Sequence, residues 1–337
     1  MRDYFEVSRS GAAARPLEGL RGLAVFLVFL VHFTTLAQAF PMAATVRAIG
    51  NTGVDLFFVL SGYLIYGSLM ARPQPFLPFM ARRVQRIYPA FAAVFGLYLA
   101  LSFLLPGQSK LPDPPYLYLL QNFLLLPGML PVAPMITVAW SLSYELFFYL
   151  AIPFVIGLLR LRSDRLGYRR VLALLLVLCG PPRFAMFACG MLAWELRDTP
   201  SPRGALVLPA VVFLLVEWPD QRALVALAWL LLFRCCLVHP KDWLTRALAW
   251  APLRWLGNMS YSYYLLHGLA LKGAFMLAGE GGPLPAALLL VPMFAWTLLT
   301  SAALYLLVER PFSLKPTTGS SPGSCSPAPA AAGARRR

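Results

Sequence analysis

Residues 17–33 read LEGLRGLAVFLVFLVHF, and the ten residues between Arg21 and His32 are all apolar or glycine. Such a segment has no polar face to offer water. It reads as a helix that crosses a bilayer, where the backbone N–H and C=O groups satisfy one another within the helix. At 1.5 Å of rise per residue, His32 lies about 16 Å further along the axis than Arg21, which places it near the membrane midplane. The run lacks a small-residue cleavage site, so it is expected to be a retained helix rather than a signal peptide.

The same pattern recurs along the chain. Apolar runs at 20–40, 53–71, 87–106, 137–159, 171–182, 184–196, 205–217, 221–238, 255–277 and 286–308 predict an all-α, polytopic bundle of about ten transmembrane helices. An eleventh run, 116–127, is short and is read as non-spanning. Of the 337 residues, 59% are hydrophobic and 13% are charged, with a mean hydropathy of +0.67. No ordinary water-facing surface is dressed from that pool. The expected organisation is a cytoplasmic segment over 1–16, a membrane domain over 17–312 and a disordered cytoplasmic tail over 313–337, rich in Pro, Ser, Gly and Ala. No soluble domain is expected at either end.

The net charge of +15 excludes less than it suggests, because the arginines stand in short loops between apolar runs rather than on one amphipathic face. Topology accounts for them, and no nucleic-acid partner is expected. With both termini cytoplasmic, every Lys and Arg falls on the inner side except Arg47, Lys110, Arg183, Arg222 and Lys272. The five cysteines form no CxxC pair and no metal-like His/Cys spacing, so Cys179, Cys189, Cys235, Cys236 and Cys325 are read as small apolar residues and no metal is expected.

A charged or titratable side chain in a span costs several kcal/mol unless it faces the bundle interior or water, so each is a functional candidate. His32, with Arg21 below it, is one: a neutral imidazole takes a proton from a hydroxyl near neutral pH. In GVDLFFVLSGYLI (53–65), Asp55 near the outer end either caps the helix N-terminus or orients a base or an acceptor sugar. Ser61 lies near the middle of that run, and Gly53 and Gly62 allow close helix approach. In FMARRVQRIYPAF (79–91), Arg83 and Arg86 share a face at i, i+3, either as a fork for phosphates or as an anchor on anionic lipid.

WSLSYELFFYL (140–150) carries Trp140, Tyr144 and Glu145, the last about two turns below the outer face and requiring an arginine partner or a role in proton handling. GNMSYSYYLLHGLAL (257–271) places Tyr261 and Tyr264 in the inner half and His267 at the depth of His32, while Tyr263 reads as an interfacial belt residue.

Taken in order, the Arg, ten residues, His of the first helix, GVDLFFVLSGYLI, the Arg-x-x-Arg of Arg83 and Arg86 before IYP, WSLSYELFFY, RFAMFACGMLAWEL, LGNMSYSYYLLH and VERPF resemble the acyltransferase 3 family of integral membrane acyltransferases. The resemblance covers about Leu17 to Phe312. It implies a ten-helix bundle in the bacterial inner membrane that transfers an acyl group, usually acetyl, from acyl-coenzyme A to a hydroxyl of a glycan or glycosylated acceptor. Acyl-coenzyme A is then a substrate, and no bound cofactor is implied.

Arg21, His32, Arg83 and Arg86 match the family's functional positions, and Asp55 and Glu145 lie in its signature blocks. His32 is the expected base, Arg83 and Arg86 the donor-phosphate ligands. Ser61, Trp140, Tyr144, Tyr261 and His267 are candidates to contact the acceptor or to support these groups. The compact stretch between Glu145 and Arg183, broken at Cys179-Gly-Pro-Pro, departs from complete helices. A proton-coupled secondary transporter is the main alternative, since it uses the same intramembrane residue types, but no matched pair of broken helices in two halves supports it. A non-catalytic scaffold is the remaining one.

The charge distribution makes the loop 160–170 cytoplasmic. A cysteine placed at Ser163 should therefore stay unlabelled by an impermeant thiol reagent in intact cells, and labelling there would reverse the assignment of the run 116–127.

Overall fold

A computed structural model of the chain describes residues 14–37, 40–109, 111–162, 165–278 and 286–313. All of the expected tail but Ser313, which is helical, and most of the N-terminal segment, with Lys110, Ser163 and Cys325, lie outside the described residues. Within them the chain is helical and has no β-strand. The helices are α1 (Arg15–Leu36), α2 (Ala43–Ala71, with a π-helical stretch at Gly62–Tyr66), α3 (Phe76–Leu104), α4 (Tyr116–Phe123) and α5 (Ala139–Leu158). They continue with α6 (Leu166–Cys179), α7 (Pro182–Glu195), α8 (Gly204–Glu217), α9 (Arg222–Val238), α10 (Trp243–Leu248) and α11 (Ala251–Asn258). The last are α12 (Ser260–Ala278) and α13 (Ala286–Leu304), the latter running on as a π-helical segment, Tyr305–Ser313.

Among the described residues, five helical runs are long and apolar enough to cross a membrane: α1, α2, α3, α5 and the run Ala287–Ser313. The chain is thus a multi-pass integral membrane protein. The other predicted runs also coincide with helices, several only 14 residues long. The break at Cys179-Gly-Pro-Pro is where α6 stops and α7 starts, because Pro181 disfavours helical backbone at Gly180 and Pro182 is suited to a first helical turn.

Several boundaries differ from expectation, and the third helix starts at Phe76, eleven residues before the apolar run at 87. The second helix begins at Ala43, ten residues before the apolar run at 53, because its polar first half packs on α1 through Arg47, whose guanidinium donates to the Thr34 carbonyl at 3.0 Å. The loop 160–170 gives way to helix at Leu166, so Arg169 and Arg170 are helical and bind Glu195 on α7. The run 255–277 is split between α11 and α12 at Met259.

The contacts fix helix directions. Arg47 on α2 meets Thr34 on α1, while Gly53 of α2 closes on the Ala24 carbonyl of α1, so the two run antiparallel. Asp55 pairs with Arg183, Phe58 packs on Phe187 at 4.7 Å and the Tyr66 hydroxyl donates to Glu195 at 2.6 Å, so α2 and α7 run parallel. Phe79 and Phe76 of α3 meet Tyr149 and Phe154 of α5 in reversed order. The eight residues of α4 span only about 12 Å. Its Phe123 lodges against Tyr88, Phe91 and Phe95, and the Asn122 side chain bonds the Ala133 carbonyl and the Met135 N–H as the chain turns back.

α2 and α7 approach closely, though α1 lies closer still to α10 and α11, where a Cβ on Gly19 would sit 1.6 Å from the Leu248 carbonyl oxygen and one on Gly257 1.8 Å from that of Glu18. A Cβ on Gly62 would sit 2.1 Å from the Phe187 carbonyl oxygen, and one on Gly190 would sit 2.0 Å from that of Val59. Tyr263, expected at the interface, is instead fully buried and shares a hydrogen bond with Thr297 at 2.8 Å, because α12 is covered by α1 and α13. Gly190→Val should lower the melting temperature in detergent through overpacking of about 1–3 kcal/mol or more. Gly96→Ala, where an added Cβ meets nothing within 4 Å, should be neutral or stabilising.

Candidate active site

At one end of the bundle α1, α2, α3, α5 and α12 enclose a cavity of about 480 Å³. Arg21 reaches it from α1, Ser61 from α2, Arg82, Arg83 and Arg86 from α3, Glu145 and Tyr149 from α5, and Tyr261 and Tyr264 from α12. Ser313 lines it too, so the first and last described helices open at the same end. Both π-helical segments border this space, through Leu64 and Ile65 in one and Ser313 in the other. A π-helical turn inside an α-helix widens the backbone locally and is frequent at functional sites.

The charges in and around the cavity are unequally matched. Glu145 accepts from the Ser61 hydroxyl at 2.8 Å and from the Tyr149 hydroxyl. It shares the cavity wall with the arginines, and its hydrogen-bond partners are two hydroxyls, where an arginine partner or a role in proton handling was expected. Glu309 is 0% exposed; Arg86 lies 3.0 Å away, and the Ser262 N–H and hydroxyl donate to it at 3.0 and 2.5 Å.

Arg83 and Arg86 therefore do not form one fork: Arg86 turns to Glu309, whereas the Arg83 guanidinium lies 5.8 Å from the Phe79 and Tyr149 ring centres. The Arg83 Nε is buried without a hydrogen-bond partner among the described residues. Arg82 donates to Gln74, and Tyr261 is tied to the Ile87 carbonyl at 2.8 Å. Four arginines thus meet two carboxylates, one of them already paired, which leaves a surplus of positive charge for an anion.

The other candidates lie elsewhere. His32 is not on the cavity wall; its ring packs 4.9 Å from that of His267. Between the histidines and the cavity stands Tyr264, which lines the cavity, sits 6.0 Å from the His267 ring and bonds Ser141 at 2.6 Å. Asp55 lies well inside α2 rather than in its first turn, so the capping alternative falls; its carboxylate pairs with Arg183 at 3.0 Å. The Arg183 guanidinium lies 4.9 Å over the Trp140 ring, and Tyr144 packs among Phe58, Trp140 and Phe184. Trp140 and Tyr144 are off the cavity wall.

Sequence reading missed Glu309 because the last apolar run was closed one residue before it, although the rule that found Glu145 applies to it equally. Tyr149 and Tyr264 were visible only as aromatic residues, with no sign of which would face the cavity. Two further buried pairs, Glu18 with Arg254 at 2.8 Å and Glu195 with Arg169 at 3.0 Å, lie off the cavity wall and tie α1 to α11 and α6 to α7.

Several bacterial proteins resemble the chain over much of its length. BcsY of Komagataeibacter xylinus, named as a membrane-bound transacylase, is 30% identical across 91% of this chain and 84% of its own. The exopolysaccharide production protein ExoZ of Rhizobium meliloti (strain 1021) is 28% identical across 78% of this chain and 89% of its own. YrhL of Bacillus subtilis (strain 168), named as a peptidoglycan O-acetyltransferase, is 27% identical across 74% of this chain but only 47% of its own. No solved structure matches. Residues 16–306 match the Acyltransferase domain family, Acyl_transf_3, and a match across that much of the chain makes this protein a membrane-embedded acyltransferase of that family.

Proposed function

We propose that the protein moves an acyl group, most simply acetyl, from acyl-coenzyme A at the cytoplasmic face of the inner membrane to a hydroxyl of a polysaccharide or other glycosylated acceptor. The observation that carries this reading is the separation of a cationic cavity from a histidine by the length of half a helix. Arg21 and His32 are about 16 Å apart along α1, a spacing suited to a donor whose thioester stands at the end of a slender arm far from its phosphates. Arg83, with no carboxylate partner among the described residues, is the first phosphate ligand, and Arg21 and Arg86 add to the field. The names of ExoZ and YrhL support a polysaccharide acceptor and an O-linked acetyl group.

In this reading the acceptor oxygen attacks the thioester carbonyl carbon while His32 takes the hydroxyl proton. The C–S bond then breaks, and the departing thiolate recovers that proton from the imidazolium. Glu145, held by Ser61 and Tyr149, balances the arginines when the donor is absent. Asp55, with Arg183 and Trp140, belongs to the acceptor side, where a carboxylate and an indole ring suit a sugar. Ten crossings with both termini cytoplasmic put the arginine cavity inside and the acceptor entrance outside. The transporter alternative has no comparable support now that the chain sits in an acyltransferase family.

Purified protein in detergent should consume acetyl-coenzyme A when given acceptor, and cell-surface polysaccharide should lose acyl groups, by mass spectrometry, when the gene is removed. Arg83→Ala should weaken acyl-coenzyme A binding by about 1.5–3 kcal/mol, the worth of a charged hydrogen bond, with little change for Arg82→Ala. Arg86→Ala should in addition lower stability, because it strands Glu309, a loss of about 3–5 kcal/mol. Equal, small binding losses at Arg82 and Arg83 would leave this cluster a lipid anchor. His32→Ala should stay intact by detergent chromatography and lose transfer by about 10²- to 10⁴-fold. Retention of more than about a tenth would remove His32 as the base.

A further inference from the structure

His267 is 0% exposed, and its Nδ1 lies 2.9 Å from two backbone carbonyl oxygens, those of Tyr263 and Tyr264. Carbonyl oxygens only accept, so Nδ1 carries the proton, and in the neutral ring Nε2 is left as a bare acceptor. That Nε2 is buried and has no hydrogen-bond partner among the described residues. An orphaned acceptor in a bundle interior is costly, of the order of 1–3 kcal/mol, and calls for a donor.

The ring beside it is His32, 4.9 Å away between centres and tilted by 67°. His267 itself is not free to turn, because the Tyr263 ring stacks on it at 5.4 Å and 10° while the two carbonyls hold its Nδ1–H. His32 is only partly covered. Of the two rings, His32 is therefore the one that can rotate.

We propose that His267 is the positioning residue of His32: its Nε2 accepts the ring N–H of His32 and so leaves the other His32 nitrogen unprotonated and facing the acceptor hydroxyl. The pair then does through a fixed neutral imidazole what a carboxylate does for the histidine of other acyl-transfer sites, namely selecting tautomer and orientation. A neutral partner suits this position, since a second charge at such depth would need its own counter-ion. The inference rests on the reading of His32 as the base.

Transfer kinetics of full-length variants in detergent, with acetyl-coenzyme A and a glycan acceptor, test it. His267→Phe keeps a ring of similar size without the acceptor, whereas His267→Gln returns an acceptor oxygen near the Nε2 position. His267→Phe should lower kcat by about tenfold to a hundredfold, the worth of one such hydrogen bond, with both KM values within about twofold. His267→Gln should recover most of that loss. If His267→Phe does not chromatograph like wild type, His267→Leu takes its place. Near-wild-type kcat in the acceptor-free variant would overturn the proposal, as would equal losses in the acceptor-free and Gln variants, and a loss confined to KM would do so as well. His32→Ala is run in parallel to separate the two claims. Activity surviving in it sinks the base assignment, whereas an inactive His32→Ala beside an indifferent His267→Phe sinks the positioning role alone.

Discussion

Glu309 has no exposed surface, and a carboxylate so placed persists only with its charge matched and its lone pairs filled. Arg86 supplies the charge from α3 beside Oε1, and the N–H and hydroxyl of Ser262 both donate to Oε2 from the start of α12. One side chain near the end of the described chain therefore ties the third helix to two that follow it by more than 150 residues. The cavity lies where those helices meet. Its shape depends on this knot, and so does its charge: with Arg86 held by Glu309 and Glu145 held by hydroxyls, Arg21 and Arg83 stand on its wall without a carboxylate partner among the described residues.

The second organising feature is α1 itself. It is packed by α2, α11 and α12 along much of its length, with Gly53, Gly257 and Gly22 letting neighbouring backbones close on it. A helix clamped in this way is a rigid spacer between Arg21 in the cavity and His32 beside His267. Tyr264 and Phe57 line the cavity and pack together at 5.9 Å between rings, so aromatic walls rather than polar ones lie between the cationic end and the histidines.

Not every buried charge in the bundle belongs to this chemistry. Glu18 with Arg254, and Glu195 with Arg169 and Tyr66, hold α11 against α1 and α6 and α2 against α7 at the same end of the bundle. They obey the same electrostatic requirement as Glu309, but they lie off the cavity wall. The distinction is positional, and residue type carries no trace of it.

That limit sets what could be read without coordinates. Apolar runs revealed the helices, because a hydrocarbon solvent selects helix from composition alone. The order of motif blocks indicated the family, and the depth of Arg21 and His32 followed from a constant rise per residue along one helix. Helix starts at Ala43 and Leu166 were missed because Arg47 in one opening stretch, and Arg169 and Arg170 in the other, interrupt the apolar run and find their partners on neighbouring helices. The partners of Asp55, Glu145 and Arg86 could not be read either. Each is separated from its partner by between 84 and more than 200 residues, except for the local Tyr149 contact, and only packing decides which faces meet. By itself the sequence determined that the chain crosses a membrane and singled out some, though not all, of the residues that had to be satisfied inside it, Glu309 being the chief omission. Tertiary structure decided which of those residues satisfy one another, and so which face the cavity unpaired, because side-chain pairing between helices depends on their direction and rotation and a linear string carries neither.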